Sequence, residues 1–233
     1  IKYAGNTVQG IEVDGKAILA DIVVSNMDVH FTYERLLQKS TARLEKREKS
    51  SSAVIFYWGI DRSFDVLGLH NIMFSDNYEE EFAAIFEDKT LPADPTIYIN
   101  ISSKHSPSDA PANAENWFVM INVPADFGQN WDQEIVQLKQ KVLSTVSEQL
   151  EVDISKHIAE EWIADPRTIA EKTISHRGAL YGTSSNHWLS AFLRHPNFSS
   201  EFKNLYFVGG TVHPGGGIPL CLLSAKIASD LMN

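Results

Sequence analysis

Cysteine is nearly absent from this chain. Cys221 stands alone among 233 residues, which excludes an internal disulfide and fits a reducing compartment. Long apolar runs are absent too: nothing approaches the roughly 20 residues that a spanning helix needs. No cationic leader with an apolar stretch opens the chain, so the expected location is the cytoplasm. Positive charge is scarce. Lys and Arg number 20 against 30 Asp and Glu, for a formal net charge of -10. With no basic block to offset that potential, nucleic acid is not an expected partner. The 8 histidines form no His-x-x-x-His or Cys/His spacing, so no metal site is expected. A Gly-x-Ser-x-Gly elbow is missing as well, which leaves a serine hydrolase without its nucleophile. The chain opens on Ile1, in what reads as the middle of β-structure, and is taken as a fragment.

What is present suffices for a sizeable core, since 43% of residues are hydrophobic. Residues 1–19 alternate around Gly5-Asn6 and Asp14-Gly15 turns, the pattern of a small antiparallel meander. The β-branched run from Ala20 to Asn26 reads as a parallel strand buried on both faces. Strand-like runs at 53–58, 67–74, 96–102 and 117–123 predict a mostly antiparallel sheet. Residues 78–86 predict a short acidic helix, and 103–116 a Pro/Ser-rich loop. Asn130 and Gln133 make a capping-box pattern. From Trp131 to Leu150 apolar residues recur at spacings of three and four, placing one stripe on a helix that should pack on the sheet. A second helical stretch is expected over 154–162.

The C-terminal segment is a strand at 205–208, a glycine-rich loop at 209–217, and a helix at 219–232 with Leu220, Leu223, Ile227 and Leu231 as its buried stripe. Glycine allows positive φ and close backbone approach. A helix N-terminus offers unpaired N–H groups and the positive end of a dipole, so an anion or an electron-rich carbonyl can sit there. The spacing is not the Gly-x-Gly-x-x-Gly dinucleotide fingerprint, and such a loop is more often only a tight connection. The other candidates have similar double readings. His213 precedes Pro214 and either shapes the turn or stands near a ligand. His187 and Trp188 either line a lipophilic channel or pack internally. Cys221 reads as a small buried filler, and the Asn100 and Asn197 glycosylation patterns as chance.

The run Asn204-Leu-Tyr-Phe-Val-Gly-Gly-Thr-Val-His-Pro-Gly-Gly-Gly-Ile-Pro-Leu-Cys-Leu-Leu-Ser-Ala-Lys226 resembles the C-terminal signature of bacterial-type phytoene and carotenoid desaturases. The resemblance extends in family order through Ala20 to Asp28, Leu69 to Ser75, Asp94 to Tyr98 and Ser106 to Pro111. Ile218 and Leu220 tilt it toward the hydroxycarotenoid 3,4-desaturase branch. It implies an α/β fold with α+β elements, of the flavin-dependent amine-oxidase type. Residues 1–35 and 196–233 would belong to an FAD-binding, Rossmann-like domain, and 36–195 to an antiparallel-sheet substrate domain with packed helices. Gly209, Gly210 and Thr211 would lie on the ribityl-diphosphate side of FAD, and Gly216, Gly217, Ile218 and Pro219 beside the isoalloxazine. The implied reaction is desaturation of C–C bonds in a lipophilic carotenoid, with FAD as hydride acceptor and no catalytic residue assigned in this half. The family's N-terminal glycine fingerprint is absent, so the N-terminal half of the same enzyme is an expected partner. Peripheral membrane association would follow from a lipid-stored substrate. A carotene isomerase, a ketolase or an amine oxidase shares the fold, and a non-catalytic lipid-binding module is the reading from another class.

Overall fold

The N-terminal alternation folds as expected. In a computed structural model that describes residues 1–186 and 194–232, β1 (Lys2–Ala4), β2 (Thr7–Val13) and β3 (Lys16–Leu19) form an antiparallel sheet in the order β1-β2-β3. β4 (Val23–Ser25) follows. The chain divides into two compact units, Ile1–Ser50 with Ala170–Asn233, and Ser51–Ile169.

The second unit is built on β5 (Ser52–Ile60), β6 (His70–Met73), β7 (Ile97–Ile101), β8 (Glu115–Val123) and β9 (Ile158–Ala164). They pair antiparallel in the order β6-β7-β8-β5-β9. Alternation dictates the core. Phe56, Trp58, Trp117, Val119, Ile99 and Ile101 point to one face and are at most 2% exposed. Against that cluster pack Leu138, Val142 and Val146 from the helix Trp131–Leu150, the stripe that the spacing predicted. Two expectations fail here. Asn130 makes no side-chain cap, because its amide donates to Gln133 Oε1 (3.3 Å) instead of its oxygen accepting from the helix. And 158–164 is a strand, not a helix: only the single turn Ile154–His157 is helical, after which the edge of β5 supplies a hydrogen-bonding partner that overrides a helix-compatible Ala-Glu-Glu-Trp composition.

Across the open face of the same sheet, cross-strand partners form continuous rows. Trp162, Tyr57, Phe118, Asn100 and His70 face one another in register across the five strands. Beside them run Ala164, Ile55, Met120, Tyr98 and Ile72. This face keeps apolar surface in solvent, with Tyr57 39%, Trp162 45% and Ile72 51% exposed.

In the first unit, β10 (Leu205–Phe207) pairs in parallel with β4, Tyr206 opposite Val24. Val8, Val23, Phe202, Leu205, Phe207 and Val212 share one buried cluster. The expectation of a strand buried on both faces fails: Val23 and Ser25 are buried, but Ile22 is 39% and Val24 46% exposed. Within this chain the parallel pair is covered on one face only, whereas parallel sheets are ordinarily covered on both.

Candidate functional site

The loop after β10 turns on glycines at positive φ, +106° at Gly209, +138° at Gly215 and +95° at Gly217, conformations costly to any other residue. The chain's own packing also demands them. A Cβ on Gly209 would lie 2.6 Å from Asn26 Oδ1, one on Gly215 would meet Arg194 at 3.4 Å, and one on Gly216 would stand 1.8 Å from Cδ1 of Tyr181. The Tyr181 ring therefore lies directly on the Gly216 backbone.

Two buried polar side chains hold the loop: Arg194, which the sequence did not single out, and Asn197, which it offered only as a chance glycosylation pattern. The Arg194 guanidinium, 4% exposed, donates to the carbonyls of Tyr181, Thr183 (2.6 Å) and Gly210 (2.6 Å), and to Ser185 Oγ (2.9 Å). Burial lowers its pKa, and among the described residues no carboxylate counters that effect. Asn197, 3% exposed, donates to Phe207 O (3.1 Å), His213 O (2.9 Å) and Ser224 Oγ (2.8 Å). Ser224 Oγ in turn accepts from the Gly209 amide (3.1 Å). Strand, loop and helix are thus stapled together, and the glycosylation pattern at Asn197 is closed to any sugar.

The C-terminal helix, Ile218–Met232, buries Ser224 and Ala228. The leucine stripe is not buried: Leu220 is 40%, Leu223 44% and Leu231 47% exposed. The small residues face the strand because only they allow the approach that the Asn197 and Ser224 contacts require.

Gly209, Gly210, Gly216, Gly217 and Ile218 come together in the wall of an open cavity of about 590 Å³. Asn26, Leu180, Tyr181, Cys221, Leu222 and Ala225 complete most of that wall, and these sequence reading missed except as packing. Cys221 is half-buried and free, lining the cavity rather than filling a core. Thr211 and Pro219 are not in the lining; Thr211 Oγ1 accepts from the Val29 amide (3.2 Å). His187 and Trp188 lie outside the described residues. Chemically the wall is a mostly apolar slot with bare backbone on one side and a helix N-terminus opening onto it. Such a surface can hold a flat ring against the backbone, with the helix N-terminus facing any electron-rich edge.

A second cluster arises from the fold alone. His30 and His176 stack, with centroids 3.6 Å apart and planes at 15°. Glu45 Oε1 lies 3.5 Å from His30 Nδ1 and 3.3 Å from His176 Nε2. Asp28 joins their segments, accepting from the backbone amides of His30 (2.8 Å) and His176 (2.9 Å). These are donor types that hold metals, a grouping the sequence spacing did not suggest. Near-parallel rings, however, direct their in-plane lone pairs side by side instead of onto one ion, a poor match to tetrahedral ligation.

Burial, helped by the Lys49 charge, pushes the His176 pKa down to about 3. Burial also lowers His30 against the pull of Glu45 and Glu34. His195 falls to about 4 for the same main reason. An imidazole that takes a proton near 6.5 when unfolded but resists it when folded leaves the unfolded state holding more protons between those values. Stability is therefore complete above pH 6.5 and declines as pH falls toward 4. His176 and His195 should each cost about 2 kcal/mol at pH 5 by linkage, less where water screens them, and His30 acts in the same direction. Thermal unfolding at pH 7.5 and pH 5 should show a clear drop in Tm, reduced in His176→Gln; equal Tm values at the two pH values would contradict it.

No family model matches the chain. Its sequence is 54% identical over 234 aligned residues to a 1-hydroxycarotenoid 3,4-desaturase of a Flavobacterium species, covering 100% of this chain and 48% of that protein. It is 35% identical to a 4,4'-diaponeurosporene oxygenase of Staphylococcus haemolyticus (98% of this chain, 47% of the other). It is 32% identical to a phytoene desaturase of Fusarium fujikuroi (93% and 42%). The chain thus spans about half the length of the curated relatives it matches. Its fold is similar to that of an oxidoreductase from Methanosarcina mazei, with TM-score 0.62 at 14% identity over 100% of this chain and 48% of that one. Along its whole length, and most strongly in the 54% match, the chain is similar to about half of each of these carotenoid desaturases and of the oxygenase.

Proposed function

We propose that the full-length protein is an FAD-dependent oxidoreductase that desaturates C–C bonds of a hydroxylated carotenoid precursor. The observation that carries this reading is the 54% identity, across the entire chain, to a 1-hydroxycarotenoid 3,4-desaturase. The geometry supports it. Gly209, Gly210, Gly216, Gly217 and Ile218 present backbone to one slot, and we assign them to the flavin, with Thr211 and Pro219 supporting the loop and helix start. When bound, FAD supplies the hydride acceptor of the reaction. The chain's part is to position and to exclude water. Amides at the start of the C-terminal helix favour negative charge on whatever faces them. Leu180, Leu222 and Ala225 keep one side of the slot apolar.

The first unit is then part of the FAD domain, and the N-terminal half of the enzyme is the partner that covers Ile22, Val24 and the helix leucines. The second unit is the substrate domain, with the aromatic rows of its open face as the surface for a polyene. Burial there needs no charged contact and contributes about 25 cal/mol per Å² before ordering costs. The described residues contain no helix long and apolar enough to cross a membrane. A cytoplasmic protein that meets a lipid-stored substrate at the membrane surface is the location this reading implies.

The test is to supply the full-length protein with FAD and a hydroxylated acyclic carotenoid. The expected product has two hydrogens fewer per step and a red-shifted absorption. The staphylococcal relative favours a second reading, oxygenation, which would add oxygen mass instead. Unchanged substrate with every electron acceptor tried would count against both.

A further inference from the structure

The row that crosses the open sheet face changes character at one end. Trp162, Tyr57 and Phe118 are in ring contact, tilted for Trp162–Tyr57 and T-shaped for Tyr57–Phe118, with centroids 5.0 Å and 5.4 Å apart. Tyr98 continues the surface at 6.3 Å from Phe118. Beyond it the next partners are polar, Asn100 opposite Phe118 and His70 opposite Asn100. His70 Nδ1 lies 2.7 Å from the Tyr98 hydroxyl and 3.2 Å from Asn100 Nδ2. Asn100 Nδ2 also donates to Leu69 O (3.1 Å), which orients that amide with its nitrogen inward.

The hydrogen-bond logic then assigns the tautomer. In the Nε2–H tautomer, Nδ1 of His70 shares its one lone pair between the Tyr98 hydroxyl at 2.7 Å and the Asn100 amide at 3.2 Å. Tyr98 then donates a hydrogen bond to Nδ1 and keeps its oxygen lone pairs. Exposed at the edge of an apolar strip, the cluster thus offers, among the described residues, one unspent donor, His70 Nε2–H, and one unspent acceptor, Tyr98 Oη. A hydroxyl is the small group that can use either. The row spans four inter-strand gaps of about 4.8 Å each, about 19 Å in all, a length suited to an extended chain lying across the strands.

Resting on the functional reading above, the geometry points to a specificity site: His70, Tyr98 and Asn100 bind the terminal hydroxyl of a linear polyene whose hydrocarbon lies over Phe118, Tyr57 and Trp162. His70 and Tyr98 touch the hydroxyl, and Asn100 positions His70. A site built around a substrate hydroxyl discriminates strongly against an analogue that lacks it, because its polar groups are then left unpaired.

The experiment compares the FAD-loaded full-length enzyme with its Tyr98→Phe, His70→Leu and His70→Gln variants. The probes are an acyclic polyene with a terminal hydroxyl and its non-hydroxylated counterpart. Binding is read by quenching of tryptophan fluorescence and turnover by kcat/KM. Wild type should prefer the hydroxylated polyene. Tyr98→Phe and His70→Leu should each lower the ratio of the two kcat/KM values about tenfold, through KM rather than kcat. His70→Gln, which retains a donor, should recover part of the preference. A merely structural cluster would shift both polyenes equally. A wild type without preference, or variants that keep the wild-type ratio, would overturn the inference while leaving desaturation intact. Failure to bind or convert either polyene would instead remove the functional reading beneath it, and the inference with it.

Discussion

Arg194→Met should destabilise the first unit by at least about 3 kcal/mol, measured by denaturant unfolding, and, under the function proposed above, should strip FAD from the full-length protein. Two effects oppose each other. Burying a guanidinium that has no carboxylate beside it among the described residues costs several kcal/mol, and methionine removes that cost. Against this, the Tyr181, Thr183 and Gly210 carbonyls lose their donor at once, at about 1–3 kcal/mol for each that remains buried. Three carbonyls against one desolvation makes the loss prevail. Arg194→Lys should fall between, since an ammonium reaches fewer of the carbonyls than a planar fork does. A destabilisation under about 1 kcal/mol for the methionine variant would show that the loop holds its shape without this contact.

Gly216→Ala should be nearly as damaging, although a single methyl is added at an open cavity. The new Cβ would fall 1.8 Å from the Tyr181 ring, and Tyr181 cannot retreat easily because its carbonyl is held by Arg194 and its amide donates to Ser50 Oγ (2.9 Å). Overpacking of this kind costs about 1–3 kcal/mol. Combining it with Tyr181→Ala should restore stability to within about 1 kcal/mol of Tyr181→Ala alone. Flavin retention separates two roles for the glycine. The double variant should still bind FAD at least tenfold more weakly than wild type, because the bare backbone is also the cofactor's contact surface in the function proposed. Full recovery of FAD would mean that Gly216 exists for Tyr181 only. No recovery of stability would mean that the clash is not what the methyl causes.

Much of the frame was legible in the chain because its signals are local. Turn residues at Gly5-Asn6 and Asp14-Gly15 punctuate the meander, and the helix Trp131–Leu150 shows its stripe at every turn. The glycine loop announced itself by composition. What failed was decided at a distance. β9 is a strand because β5, about a hundred residues earlier in the chain, offers it an edge. His30 and His176 meet through Asp28, which no spacing rule connects to both. Arg194 and Asn197 look like ordinary polar residues until the carbonyls they satisfy are seen. The helix leucines read as core because apolar periodicity reports which side is greasy, not whether anything lies against it.

Taken alone, then, the order of residues determined the local elements, the family resemblance and the backbone freedom of the loop, since each depends on neighbours within a turn or two. Tertiary structure decided which faces are covered, which carbonyls Arg194 satisfies and which side chains share a row across five strands. Those depend on pairings between distant segments, and hydrogen bonds and burial are settled only when such segments meet.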